Sequence, residues 1–483
     1  IIFAAPFDGA YTIDTSTFTL TTSNIKLNGG SAPVVINSGA GGSLVLSATR
    51  TWSVTNGPLT VNAPITGAFG INKFGGGNMF LTNDGNSFTG ALQVNNGGNT
   101  TITSIKDSGV PSAAGAGSLL KISNNADLYY IGSGDSTNRT LELGTNSSII
   151  YSNGTGALVF TGPLANTSTN AKTLTLRGTN TDANEIQGNL INSTNAGQAL
   201  SVTKADASNW TLSGDNTYTG KTTLTAGVLE ANAADVAATS GALGNGGVID
   251  FNGGTLQYTA LSAGTDYGSR IGASTQAIRL NTNGQDVTLA TVIDGTNTAG
   301  LVKTGTGTLS LAGDNLYAGN TFINGGIVQA DVADTLDGVD PSITLSGAFG
   351  AGGNIDFGGG TLQYTANSAG TDYSARIANS AGPMTFDTNG EDVTLAANLA
   401  STNTGGLTKE GAGTLIANYS NGDYTGLTTV NGGTLQCLNA AGSTQWTAGD
   451  FEINNGSRLE IVANVTSVLR NRTWTFDATG GGT

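Results

Sequence analysis

Two pairs of acidic residues, Asp250 with Asp266 and Asp356 with Asp372, are the strongest candidates for chemistry in this sequence. Paired carboxylates in a groove do the acid/base work of polysaccharide hydrolysis. The chain contains no histidine, which excludes Ser-His-Asp and Cys-His nucleophiles and His-ligated metals. Carboxylates, Lys, Arg and Tyr are what remains for proton transfer. A third acidic group, Asp334, Asp337 and Asp340 in "DTLDGVD", offers hard oxygens suited to calcium. Its spacing fits neither an EF-hand loop nor a calcium-binding β-roll, so a solvated acidic loop is the simpler expectation. In "DLYYIG" the adjacent Tyr129 and Tyr130 sit on an alternating strand, which turns one of them outward as a face on which a sugar could stack. The single cysteine, Cys437 in "TLQCLN", cannot form an internal disulfide and reads as a small buried apolar residue.

Duplication weighs against catalysis. Asp356 and Asp372 repeat Asp250 and Asp266 at a constant offset of 106, and Arg376 repeats Arg270 in the same way. An active site normally occurs once per molecule, whereas residues copied with a repeat mark positions in a fold. The sequence therefore predicts no catalytic residue and no cofactor beyond the weak calcium candidates. Arg270 and Arg376 are expected to balance Asp charges or to hold a turn carbonyl.

The elements that position these residues are short strands. Glycine supplies 74 of 483 residues, roughly twice the usual share. Charged residues are only 11 %, and Thr, Ser and Asn fill their places, which favours strands and turns over helices. Apolar content of 37 % in alternating runs argues for buried strands rather than disorder. A net charge of −15 makes nucleic acid and anionic membrane surfaces poor partners. No stretch approaches the ~20 apolar residues of a membrane helix. The chain begins with Ile1 and ends in "DATGGGT", and reads as a segment of a longer one.

Self-similarity dominates the sequence. Residues 241–309 align without a gap to 347–415, with about 43 of 69 positions identical. A wider frame runs through "GDNTYTG" at 214–220, "GDNLYAG" at 313–319, "DGNSFTG" at 84–90 and "NGDYTG" at 421–426. Lys73, Lys204, Lys303 and Lys409 share one register in it; so do Phe88, Tyr218, Tyr317 and Tyr424, and the glycines Gly90, Gly220, Gly319 and Gly426. A seven-residue insertion around "DTLDGVDP" shifts the spacing, and register returns at Gly347. Stacked arrays tolerate such loops. Strands of four to six residues with turns every eight to twelve fit a β-sandwich or a β-helix. The long run of equivalent strands and the recurring "NGGTL" favour a parallel β-helix: all-β, right-handed, about 20 short coils forming an elongated rod. In the frame motif the glycines bracket a turn, Asn216 bonds its own backbone or stacks with its equivalents, and Tyr218 covers a coil edge. The expected divisions are 1–66 (divergent coils), 67–199 (first, divergent repeat), 200–299, 300–405 and 406–483, the last a truncated repeat.

The frame, carried best by Lys303, Gly305, Gly307, Leu309, Leu311, Gly313, Asn315, Tyr317, Gly319, Thr321 and Gly326, resembles the autotransporter-associated β-strand repeat, also called the passenger-associated transport repeat. Asp206 and Ser208 depart from its glycines, Gly422 from its Asn and Phe88 from its Tyr. The resemblance implies secretion, a β-helix and exposure on a bacterial cell surface, with no catalytic residues to carry over. The expected function is a non-catalytic extracellular structural or adhesive module, a stalk, fibre or matrix component. Its partners would be a glycan or cell-surface ligand, or further copies joined end to end through open β-helix edges. "NRTWTFDATGGGT" at 471–483, which echoes "TRTWSV" at 49–54, would supply such an end. A secreted β-helix enzyme acting on polysaccharide is the alternative.

Overall fold

The computed structural model describes residues 1–3, 9–22, 24–27, 32–195, 198–236, 239–340, 343–419, 424–439, 450–454, 456–462 and 474–476. The end motif at 471–483 therefore lies outside the described residues except for 474–476. The described residues form parallel β-solenoid coils, about 19 turns of them. It divides into two compact units, Ile1–Ile249 and Asp250–Thr483, and the division falls inside the segment read from sequence as one repeat.

Unit one stacks its strands into parallel sheets along the faces of the coil. One runs from Ile2–Phe3 to Leu164–Asn166 and a second from Tyr11–Asp14 through Thr222–Leu224. Ile71 pairs with Leu92, and Leu92 with Leu120, so a coil of 21 residues is followed by one of 28. Added residues leave through corner loops while strand register is kept. In unit two, sheets pass through Leu301–Thr304, Thr321–Ile323 and Ile355–Phe357 on one face and through Thr308–Leu311, Ile327–Ala330 and Thr361–Tyr364 on another.

Alternation decides what is inside. Lys172–Gly178 and Leu200–Lys204 bury every second residue, as period-two side-chain direction requires. Because parallel strands keep register, like positions stack: Leu128, Ile150 and Leu176 form one internal column. Some outward columns are polar or aromatic ladders. In unit two the Gln329 amide donates to Gln363, and Gln363 to Asp387, each at 2.7 Å. In unit one Tyr129 stacks on Tyr151, with centroids 3.9 Å apart and planes 11° apart, and the Arg177 guanidinium lies 5.0 Å from the Tyr151 centroid.

Candidate functional site

The recurring motif builds a corner that ties three successive coils together. Its Asn is buried in the first three copies. Asn86, Asn216 and Asn315 each accept at Oδ1 the N–H of Ile65, Leu190 and Ile293 in the preceding coil, at 2.9, 2.7 and 2.8 Å. Each donates from Nδ2 to Ala113, Ala242 and Ala348 in the following coil, at 3.0, 2.6 and 3.0 Å. The Asn thus neither bonds its own backbone nor stacks with its equivalents; it joins the coils on either side. The fourth copy has Gly422 at this position, outside the described residues.

The aromatic two residues on is enclosed rather than laid over a coil edge. Phe88, Tyr218, Tyr317 and Tyr424 are all buried. A buried phenol needs a partner, and Tyr218, Tyr317 and Tyr424 share hydrogen bonds of 2.7, 2.6 and 2.7 Å with Thr222, Thr321 and Thr428. Phe88, without a hydroxyl, has Leu92 four residues on. The next coil closes over the ring with a left-handed glycine: Gly115 (φ 80°) over Phe88, Gly244 (φ 72°) over Tyr218 and Gly350 (φ 65°) over Tyr317. The residues that follow, Ala116, Asn245 and Ala351, donate to the Phe88, Tyr218 and Tyr317 carbonyls, each at 2.8 Å. Gly319 ends the motif because the backbone of the coil before it leaves no room for a Cβ, which would stand 2.3 Å from Ala299 C and from Gly300 N.

Lysine occupies a core slot. Lys204 stacks between Leu176 and Leu224, and Lys303 between Leu280 and Ile323. Both are fully buried, as are Lys73 and Lys409. The ammonium folds into a cradle of carbonyls: Lys303 Nζ donates to Thr304, Gly305 and Gly325 at 3.0, 2.9 and 3.0 Å. Lys409 donates to Glu410, Gly411 and Gly432 in the same pattern. Burial lowers the pKa of Lys73, Lys204, Lys303 and Lys409 to about 8. An ammonium consumed by backbone acceptors offers nothing to a substrate.

One carboxylate of each pair is engaged in a turn and the other lies on a strand. Asp266 accepts from Gly268, Ala290 and Thr291 N–H, at 2.8, 3.0 and 2.9 Å. Its duplicate Asp372 accepts from Ser374 and Ala396 N–H, at 2.9 and 3.0 Å. Asp250 lies on the strand Ile249–Phe251; Asp356, on Ile355–Phe357, accepts from Asn320 at 3.3 Å. Arg376 clamps the carbonyls of Phe349 and Gly353 at 2.6 and 2.8 Å, while Arg270 lies 5.5 Å from the Tyr267 centroid.

Among the described residues no three acidic side chains, or Cys, converge on a metal position. In the acidic loop Asp334 is turned into an ion pair with Arg376 at 3.2 Å and Asp337 folds over the Val339 and Asp340 N–H groups at 2.7 and 3.1 Å. Tyr130 is buried beside Asp135 at 3.1 Å. The outward Tyr129 uses one ring face on Tyr151, which removes that face from sugar stacking. Cys437 is buried.

Sequence reasoning missed Arg139, a buried side chain whose guanidinium donates to Ala114 and Gly115 carbonyls at 2.9 and 2.6 Å. It clamps "SAAGAG" as Arg376 clamps "SGAFGAGG", and the alignment of those Gly-rich stretches was the available signal.

The passenger-associated-transport-repeat family model matches residues 71–103, 202–231, 301–330 and 407–436, each beginning near the buried lysine and passing through the corner. The chain is 32 % identical to the adhesin BmaC autotransporter of Brucella suis biovar 1 (strain 1330) over an alignment of 556 residues, which takes in 94 % of this chain and 15 % of that protein. The chain thus spans about 15 % of the length of this relative. No solved structure matches.

Proposed function

We propose that this chain, which carries four passenger-associated transport repeats, is part of a non-catalytic extracellular adhesin displayed on a bacterial surface. The observation that carries the proposal is the use of the repeated polar residues. The described Asn and Lys side chains are spent on holding coil to coil and the Tyr-Thr pairs on closing the interior of each corner, and they leave the outward columns free to vary. The likeness to an autotransporter adhesin supports the same reading. The repeated scaffold would act as a stalk or matrix element, and open coil ends would allow copies to join end to end.

The test is adherence. Purified, labelled chain should coat animal cells in a saturable way, and antibody raised against it should label intact bacteria that carry the parent protein. Coating no stronger than that of an unrelated acidic β-solenoid would overturn the adhesive reading. Release of reducing ends from polysaccharide, lost on Asp372→Asn, would overturn the non-catalytic one.

A further inference from the structure

In unit one the strands Ala126–Tyr130, Ser148–Ser152 and Lys172–Gly178 are successive rungs of one parallel sheet. Their register sets Thr101, Tyr129, Tyr151 and Arg177 in a single outward column. Both phenols are half-buried, between fully buried neighbours on their strands. The rings lean together until their centroids, 3.9 Å apart, are closer than the ~4.8 Å between rungs, and their planes differ by 11°. Rings so close and so parallel set ring carbon against ring carbon in van der Waals contact. Burial, and after it the Tyr151 hydroxyl, raise the pKa of the Tyr129 phenol. The two hydroxyls therefore lie on the same side, and the carbons ortho to one oxygen face those ortho to the other.

The column limits each phenol to the other. The Arg177 guanidinium lies 5.0 Å from the Tyr151 centroid and is held there by Asp206 at 2.9 and 3.0 Å. Thr101, one coil before Tyr129, brings no ring. Elsewhere phenols are kept from solvent: Tyr130, Tyr218, Tyr317 and Tyr424 are buried. So are two further pairs, Tyr258 with Tyr267 and Tyr364 with Tyr373, which stand 5.8 and 5.7 Å apart and are tilted by 40° and 37°. Tyr11 is 44 % exposed, and the ring beside it is Phe3. Among the described side chains, Tyr129 and Tyr151 are thus the stacked phenols that solvent reaches.

We propose that Tyr129 and Tyr151 form a site of oxidative cross-linking, at which a one-electron oxidant joins two successive coils through dityrosine. A haem peroxidase fed with hydrogen peroxide is such an oxidant. Each phenol gives up one electron and its hydroxyl proton, and peroxide takes the two electrons and two protons to become two waters. The unpaired spin of each phenoxyl spreads to the ring carbons ortho to oxygen. A carbon–carbon bond forms between facing ortho carbons, and the hydrogen on each moves to the neighbouring oxygen, which restores two phenols. Tyr151 follows Tyr129 by 22 residues, so the bond closes that length of chain into a loop and holds Ser148–Ser152 against Ala126–Tyr130 when their strand hydrogen bonds open. The inference goes beyond the adhesive reading and takes from it only the setting, an outer surface that meets extracellular oxidants.

Treatment of the dilute full chain with a haem peroxidase and limiting hydrogen peroxide tests it. The monomer should gain the blue fluorescence of dityrosine and lose two hydrogens in mass. After denaturation and trypsin digestion, the peptides 122–139 and 140–172 should be joined, with fragment masses placing the bond at Tyr129 and Tyr151. Tyr129→Phe and Tyr151→Phe, which keep the ring and remove the hydroxyl, should each abolish the product, and Tyr11→Phe should leave it unchanged. Amide exchange across 126–152 should slow in the linked chain. A monomer of unchanged mass, a bond mapped to other tyrosines, coupling only between molecules, or a product that survives Tyr151→Phe overturns the site. A linked chain whose 126–152 amides exchange as fast as before overturns the tie between coils. A chain that fails here and still coats cells loses the cross-link while its adhesive role stands.

Discussion

The corners at 214–245 and 313–351 make the same hydrogen bonds. Asn216 and Asn315 reach back by 2.7 and 2.8 Å and forward by 2.6 and 3.0 Å. The phenols of Tyr218 and Tyr317 meet their threonines at 2.7 and 2.6 Å. Yet before Gly241 Val236 and Ser240 close a tight antiparallel bridge, whereas before Gly347 the strands Thr335–Leu336 and Thr344–Ser346 pair antiparallel beside a cavity. The contrast teaches that the inside of the corner tolerates little change, since its buried Asn is bonded to the coils on either side and its buried phenol to a threonine four residues on. A loop that leaves the coil and returns in register meets no such demand, so novelty collects outside.

If that contrast is right, the largest losses come from the staple. Asn315→Ala strands the Ile293 N–H and the Ala348 carbonyl in the interior, and should destabilise unit two by about 2–5 kcal/mol, read as a fall in urea midpoint. Asn216→Ala should do the same to unit one. A loss at one corner without a comparable loss at the other would break the equivalence.

A smaller effect concerns pH. Lys303 has its pKa lowered from 10.5 to about 8 by burial, so below pH 8 the folded chain carries the full cost of a buried ammonium. Between about 8 and 10.5 the unfolded chain binds more protons, and stability should rise with pH. Tyr317 is raised from 10.0 to about 12, so its ionisation on unfolding reverses the trend above pH 10. Thermal midpoints across pH 7–11 should therefore climb and then fall, and Lys303→Met should flatten the climb.

The smallest effect sharpens the comparison with the first copy, where Phe88 and Leu92 replace Tyr and Thr. Tyr317→Phe alone should cost about 1 kcal/mol, because Thr321 is left with a buried hydroxyl. Adding Thr321→Leu should recover most of it. A double variant no better than the single one would show that the Phe–Leu pair is not an interchangeable solution.

Much of this architecture was legible in the sequence. Alternating strands, the gapless duplication and the frame from Lys303 to Gly326 led to a parallel β-solenoid. The Tyr-x-x-x-Thr spacing stood in three copies and could have placed the phenol indoors, since it is absent where the ring is Phe88. The role of Asn could not be read in the same way. Its partners are backbone groups of Ile293 and Ala348, 22 and 33 residues away, and backbone groups leave no mark on residue identity. The lysine was visible as a register mark but not as a core residue, because burying an ammonium among leucines contradicts the usual sorting until its carbonyl cradle is seen. The ion pair of Asp334 was hidden for a related reason: "DTLDGVD" reads as solvated acid, and only packing turns Asp334 towards Arg376.

The Asn staple also has a mechanical meaning. Hydrogen bonds between parallel coils are broken one coil at a time when the chain is drawn from an end of either unit, as a thread leaves a spool. A coil held only by its strands comes away at low force. A coil that an Asn also ties to the coil beneath must lose that side-chain bond together with its strand bonds, so the thread should catch there. A stretched unit would yield in small steps with a taller one at each stapled corner.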